Sequence, residues 1–165
     1  MRVIGFDPGL ALMGYGVIDV LGGRQVLVGC GVVQTESAIS MPGRLGQIYS
    51  AASELVATFA PDAVAVEELF FNTNAKTAIA VGQARGALLS AVIQHTDAIY
   101  EYTPLQVKQA VTGYGRADKR QVQQMVKALL RLDDVPRPDD AADAVAVALC
   151  HASTVRLRAA VESRK

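Results

Sequence analysis

Four acidic residues stand beside apolar segments, where a carboxylate can be held against a buried framework. Asp7 and Glu67 each end a short apolar run, and each run reads as a buried strand. Asp140 and Asp143 lie three residues apart in an alanine-rich segment, a spacing that puts both on one face of a helix. Carboxylates brought together repel one another, so such a group persists at neutral pH mainly by binding divalent cations.

The ligand type predicts the metal and the chemistry. An all-oxygen ligand set suits Mg²⁺ or Mn²⁺. Two such ions about 3.5 to 4 Å apart would bracket a scissile phosphate, one activating a water and the other stabilising the leaving oxygen. The sequence therefore predicts phosphodiester hydrolysis with Asp7, Glu67, Asp140 and Asp143 as catalytic metal ligands.

Each carboxylate also has a structural explanation. Asp-Pro-Gly after the first run is a common turn, and Asp139 or Asp140 can cap a helix whose dipole favours a negative charge. Asp143 fits that explanation poorly because it lies deeper in a helix among apolar residues. Glu68 is the nearest alternative to Glu67, as Asp139 is to Asp140. Alternation along the strand is the one physical argument for Glu67.

Composition limits the class of protein. The 165 residues are 51% hydrophobic and 19% charged, which predicts one globular domain over residues 1–158 and a frayed tail over 159–165. Lys plus Arg and Asp plus Glu both number 16, so attraction to nucleic acid must come from a local basic patch. Cys30 and Cys150 lack metal-site spacing and are expected to be free, buried thiols. With no signal-peptide pattern and no apolar run near ~20 residues, a cytoplasmic location is expected.

Hydrophobic periodicity predicts an α/β fold. Three strands open the chain and two more follow later, the fourth after a helix that returns it parallel to the first. The result is a mixed five-stranded sheet, a three-strand antiparallel meander plus two parallel strands, flanked by helices. The predicted strands are residues 3–7, 14–20, 26–35, 63–67 and 98–102, and the predicted helices are 42–61, 75–94, 104–111, 118–131 and 139–158.

Glycines and histidines add further expectations. Gly82 and Gly86 weaken a helix by roughly 1 kcal/mol each, so they should admit a close backbone, from the sheet or from a second copy of the chain. His95 and His151 have no partner pattern and are assigned to the surface. A stripe of five apolar residues should be buried on the helix that follows Asp118: Val122, Met125, Val126, Leu129 and Leu130.

Aromatic residues follow the glutamate at the end of the fourth strand. Phe70 and Phe71 are adjacent in an otherwise polar loop. One of them could stack on an unpaired base, worth about 1 to 3 kcal/mol. Burial of both under the next helix is equally compatible with the sequence.

Basic residues concentrate after the fifth strand. Lys119 and Arg120 stand in the first turn of a helix, where a cation is disfavoured by about 0.3 to 1 kcal/mol. This placement favours phosphate contacts, and Lys108 joins the set, whereas Lys127 and Arg131 are expected to solubilise an outer face. Arg85 lies among small residues and needs an acceptor, which could be DNA.

Together these segments resemble the RuvC family of Holliday-junction endonucleases, which have the ribonuclease H-like fold. The matching segments follow the family order along nearly the whole chain: 5–9 with 14–16, 66–70, 82–86, 106–109 and 140–144. The resemblance implies that Asp7, Glu67, Asp140 and Asp143 are the catalytic metal ligands. Some members carry histidine in place of Asp140, whereas this chain has only carboxylates.

The resemblance implies further properties. Phe70 matches an aromatic placed beside the junction, and Lys108 and Lys119 match lysines implicated in DNA binding and catalysis. Family members are homodimers that nick two strands of four-way junction DNA symmetrically, leave 5′-phosphate and 3′-hydroxyl ends, and cooperate with the RuvA/RuvB branch-migration complex. They are bacterial and cytoplasmic.

Three other functions are compatible with parts of this pattern. An actin-like or sugar-kinase phosphotransferase also uses a strand followed by an Asp-x-Gly turn, but the chain is about half the required length. A non-catalytic junction-binding scaffold would have the basic region intact, with the acidic residues serving only as helix caps and turns. A ribonuclease H acting on hybrids would share the metal chemistry without needing a dimer.

Overall fold

The computed structural model describes residues 1–68 and 75–162, without the side chains of residues 75, 76 and 159. Its strands are β1 (Arg2–Asp7), β2 (Leu12–Leu21), β3 (Arg24–Gln34), β4 (Ala63–Glu67) and β5 (Ile99–Tyr102). They form one sheet in the order β3-β2-β1-β4-β5. β1 is antiparallel to β2 and parallel to β4, and β4 is parallel to β5. The predicted mixed sheet is confirmed.

In the part of the chain that the structure describes, five helices alternate with or follow the strands. They are α1 (Met41–Phe59), α2 (Ala75–Val92), α3 (Pro104–Thr112), α4 (Lys119–Leu130) and α5 (Asp139–Glu162). α3 and α4 each begin with a complete capping box, Thr103 with Gln106 and Asp118 with Gln121. These boxes satisfy exposed backbone N–H groups and fix where each helix starts. α5 ends at Glu162, beyond the predicted end near residue 158.

Side-chain alternation divides the sheet into two packed faces. Ile4 and Phe6 of β1 join the core under α1 and α2, whereas Val3 joins the core under α5. The same alternation in β4 puts Val64 and Val66 with α1 and α2, and Ala65 with α5. Because side chains two apart share a face, residues 7 and 67 belong to the α5 face.

Three glycines let α5 lie directly on β1 and β2. A Cβ at Gly5 would collide with the backbone of Ala144, and one at Gly14 with the backbone of Asp140. A Cβ at Gly16 would lie 2.5 Å from Val145 Cγ2. Among residues 1–68 and 75–162, none lies within 4 Å of a Cβ placed at Gly86, so these residues do not make the close approach predicted there.

α5 is the central helix of the packing. By length and composition it could cross a membrane, but 53% of its most apolar window is buried inside the fold. The buried positions include His151, which is 1% exposed and not on the surface as predicted. Its Nδ1 lies 2.8 Å from the hydroxyl of Tyr102, so β5 supplies a polar partner that the sequence did not reveal.

Smaller differences follow from the same packing. His95 is exposed as predicted, with Nε2 2.6 Å from Ser53 Oγ. Leu129 was expected in the buried stripe of α4 but is 40% exposed, because α4 covers the edge of the α5 layer and presents a narrower apolar face. Cys150 is buried and Cys30 is partly buried, and both are free thiols.

Candidate active site

The site lies at the carboxyl ends of β1 and β4. Phe6 pairs with Val66 in the parallel ladder, so Asp7 and Glu67 leave the sheet side by side on the α5 face. Asp7 is also paired with Gly14 across the antiparallel ladder. Because the backbone of Asp140 rests on Gly14, the first turn of α5 is held next to Asp7.

Electrostatics shows that the four predicted carboxylates share one region. Burial, followed by the charges of Glu67, Asp143 and Asp140, raises the pKa of Asp7 to about 7. Burial and the charge of Asp143 likewise raise the pKa of Glu67 to about 7. Glu68, the nearest alternative to Glu67, is exposed beyond the strand end, whereas Glu67 is partly buried at the end of β4.

Two lysines oppose this negative charge. Lys119 lowers the pKa of Asp7 and of Glu67, and Lys108 lowers that of Glu67. Lys119 Nζ lies 2.9 Å from Asp143 Oδ2 and 3.5 Å from Asp139 Oδ2. Burial still raises the pKa of Asp143 despite this contact.

A cavity of about 210 Å³ opens between the acidic strand ends and the starts of α3 and α4. Its charged lining residues are Glu67, Lys108, Lys119 and Asp143, and its other lining residues are Pro104, Val107, Val122 and Ala146. A cavity with carboxylates on one wall and ammonium groups on the other suits a phosphate held beside a cation.

A second cavity, of about 610 Å³, adjoins Asp140 on the side of α1 and α2. Arg44 lines it, a residue that the sequence analysis did not select. Arg44 Nε donates to Thr35 Oγ1 at 2.8 Å and Nη2 donates to the Leu10 carbonyl at 3.3 Å. These bonds hold the turn after Asp7. Arg44 is a cation in the first turn of α1, the same signal that selected Lys119.

Comparison with known proteins settles the family. A family model described as crossover junction endodeoxyribonuclease RuvC matches residues 3–151. The chain belongs to the RuvC family. A protein of that name from Rubrobacter xylanophilus is 56% identical over 158 residues, which span 96% of this chain and 88% of the relative.

Solved RuvC structures have the same architecture. Thermus thermophilus RuvC has a TM-score of 0.88 at 41% identity, covering 95% of this chain and 96% of that one. A second structure, of T. thermophilus RuvC in complex with Holliday junction substrate, has a TM-score of 0.87 at 39% identity, with the same coverage of both chains. The predicted ribonuclease H-like fold and the predicted crossover junction endonuclease class are confirmed. The phosphotransferase and the non-catalytic scaffold are thereby set aside.

Membership of the RuvC family implies dependence on a divalent metal, and the donor set agrees. All four candidate ligands are carboxylates, which prefer hard cations. A cation would also offset the burial and the repulsion that raise the pKa values of Asp7 and Glu67. Within residues 1–68 and 75–162, however, no three acidic, histidine or cysteine side chains are arranged to enclose an ion. Asp143 is paired with Lys119 instead.

The remaining predicted site residues fall into three groups. Lys108 lines the smaller cavity, and Arg120 is exposed beside Lys119. Arg85 forms an ion pair with Glu101 and donates to the Glu67 carbonyl at 3.4 Å, so it has found its acceptors inside the chain. Phe70 and Phe71 lie outside the described residues.

Proposed function

We propose that this chain resolves Holliday junctions by nicking two strands symmetrically, using Asp7, Glu67, Asp140 and Asp143 as ligands of two Mg²⁺ or Mn²⁺ ions. The observation that carries the proposal is the placement of Asp7 and Glu67 side by side at the ends of β1 and β4, with the first turn of α5 packed against them. Burial, and then the neighbouring carboxylates, raise the pKa of both groups to about 7. Bound there, two ions would activate a water and stabilise the leaving 3′ oxygen. The products would carry 5′-phosphate and 3′-hydroxyl ends.

The two lysines that line the smaller cavity suggest how a DNA strand would be held. Lys108 and Lys119 line it and would contact the phosphates on either side of the scissile bond, with exposed Arg120 extending that contact. Phe70 or Phe71 would stack on a base that the junction leaves unpaired. Arg85 is a weaker DNA contact than its sequence position implied, because Glu101 already neutralises its charge.

Two copies of the chain would act together. A two-fold dimer presents two equivalent sites, as symmetric nicks in a four-way junction require. The surface we propose is the outer face of α2 and the turn after it, where Ile79, Gly86 and Ile93 recur every seven residues. Ile79 is 65% exposed, Ile93 is 52% exposed and Gly86 is uncovered in the single chain. By family likeness, RuvA/RuvB would be the partners, in the cytoplasm. We also propose that residues 1–158 form one nuclease domain.

The decisive experiment compares DNA substrates of matched sequence. Purified protein with Mg²⁺ or Mn²⁺ is incubated with a synthetic four-way junction, a linear duplex and an RNA–DNA hybrid, and the cut ends are mapped. Paired symmetric nicks confined to the junction are expected. Equal cleavage of linear duplex and junction would reject the proposal, and preferential cleavage of the hybrid would favour a ribonuclease H.

The dimer surface needs its own measurement. Ile79→Glu places a charge on the proposed contact, and Leu157→Glu places one on a residue that is also 65% exposed but lies on α5. Light scattering should give half the mass for Ile79→Glu and an unchanged mass for Leu157→Glu. An unchanged dimer in Ile79→Glu would assign the contact to another surface.

A further inference from the structure

Lys119 lies where positive charge is most needed. Its ammonium group contacts Asp143 at 2.9 Å and Asp139 at 3.5 Å, and its charge also acts on Asp7 and Glu67. One cation therefore serves several carboxylates on the α5 face of the sheet. Its side chain is 51% exposed, so the ammonium group bridges this acidic region and solvent.

The position of this lysine in α4 is unfavourable by itself. Lys119 is the first residue of the helix, where the helix dipole repels a cation. The start of α4 is nevertheless fixed, because Asp118 accepts from the Gln121 N–H at 2.9 Å and Gln121 accepts from the Asp118 N–H at 2.8 Å. The capping box thus holds the lysine over the carboxylates, and the tertiary ion pairs offset the local repulsion.

The same carboxylates lack a ready-made metal cage. No three potential ligands among residues 1–68 and 75–162 enclose an ion, while the Lys119 ammonium group occupies Asp143 Oδ2. A divalent ion bound to that oxygen would be repelled by the ammonium group a few ångströms away. The two cations therefore favour different arrangements of Asp143.

We infer that Lys119 is the internal counter-cation of the metal-free site and that it competes with a divalent ion for Asp143. This inference rests on the proposed function in one respect, the role of Asp143 as a metal ligand. In the metal-free site Lys119 therefore acts as a positioning residue through Asp143, and its proposed phosphate contact belongs to the DNA-bound state. It keeps the carboxylates together in the absence of metal and raises the metal concentration at which the site fills.

Calorimetric titration with Mn²⁺ in the absence of DNA tests the competition. Lys119→Met should bind Mn²⁺ about tenfold more tightly than the unmodified protein at low ionic strength, since a full positive charge has left the site. Lys119→Arg keeps the charge, and Lys127→Met removes one from the last turn of the same helix, so both should remain within about twofold. Unchanged or weaker Mn²⁺ binding by Lys119→Met would overturn the inference.

The unmodified protein provides an independent test, should Lys119→Met fail to fold. The ammonium ¹⁵N resonance of Lys119 should shift during titration with diamagnetic Mg²⁺, as the ion pair with Asp143 is broken, while that of Lys127 stays in place. An unchanged Lys119 resonance at saturating Mg²⁺ would contradict the competition. Neither measurement uses DNA, so junction cleavage by the unmodified protein can succeed or fail independently of both.

Discussion

Charged side chains are paired at the start of β1, whereas carboxylates are in excess at its end. At its start, Arg2 Nε and Nη2 donate to Asp19 at 2.8 and 2.9 Å, and the Arg2 backbone N–H donates to Asp62 at 2.6 Å. The Arg2 contact lowers the pKa of Asp19, so the carboxylate is held in its ionised form. At the other end, burial and neighbouring carboxylates raise the pKa of Asp7 to about 7, and Lys119 is the cation that opposes them.

This difference agrees with a structural role for the start of β1 and with the catalytic role that we propose for its end. At the start of β1, Arg2 is paired with Asp19 at 2.8 Å, and the amino group of Met1 lies 4.0 Å from Asp62, so positive and negative groups balance in the single chain. The end of β1 has more negative than positive groups, which costs stability unless a cation is added. Such an excess of like charge in a cleft is typical of a functional site.

The largest expected effect comes from removing one carboxylate at the unpaired end. Asp7→Asn should lower junction cleavage by at least ~10³-fold, since a lost metal ligand costs several kcal/mol of transition-state stabilisation. Junction binding should remain within a few-fold. Cleavage would be followed by gel assay and binding by fluorescence anisotropy in Ca²⁺. Undiminished nicking by Asp7→Asn would rule out the proposed mechanism.

A packing change tests how α5 is held against the unpaired end. Gly14→Ala should destabilise the protein by about 1 to 3 kcal/mol and lower cleavage, because the added methyl collides with the Asp140 backbone. Gly46→Ala is the matched control, since its Cβ would meet nothing within 4 Å on α1. It should stabilise the fold by roughly 1 kcal/mol and leave cleavage unchanged. Urea unfolding distinguishes them, and equal stability of the two variants would argue against the contact.

The two ends should also respond to pH in opposite directions. The pKa values of Asp7 and Glu67 are raised in the fold, from 3.8 and 4.5 to about 7, so the folded state binds their protons more tightly than the unfolded state. Their effect favours folding at low pH and is lost as pH rises from about 4 through about 7. In EDTA, the melting temperature should fall over this range in the unmodified protein and fall less in Asp7→Asn. An equal fall in both would contradict the assignment.

The smallest expected effect is at the paired end. Asp19 has a lowered pKa, so its contribution to stability is present above the unfolded pKa and is lost as pH falls through the folded one. Asp19→Asn should reduce the melting temperature slightly at pH 7, with no further loss on acidification, and should leave cleavage unchanged. If Asp19→Asn showed a cleavage defect comparable to that of Asp7→Asn, the two ends of β1 would not differ in function as proposed.

Local patterns were sufficient to predict the helices and strands and to select the candidate site residues. The i, i+3, i+4 spacing of α1, the capping boxes before α3 and α4, and the alternation that selects Glu67 are all readable over a few residues. Contacts between distant segments were not readable. The burial of His151 depends on Tyr102, and the role of Arg44 depends on Thr35 and Leu10.

The sequence by itself determined the order of strands and helices, the identities of the four carboxylates and the resemblance to the RuvC family, because periodicity, caps and motifs are properties of short segments. Only the tertiary structure decided which cation offsets the negative charge at the end of β1. Lys119 is 112 positions from Asp7 along the chain, and it reaches the site because a capped helix and the packing of α5 on glycines bring the two segments together.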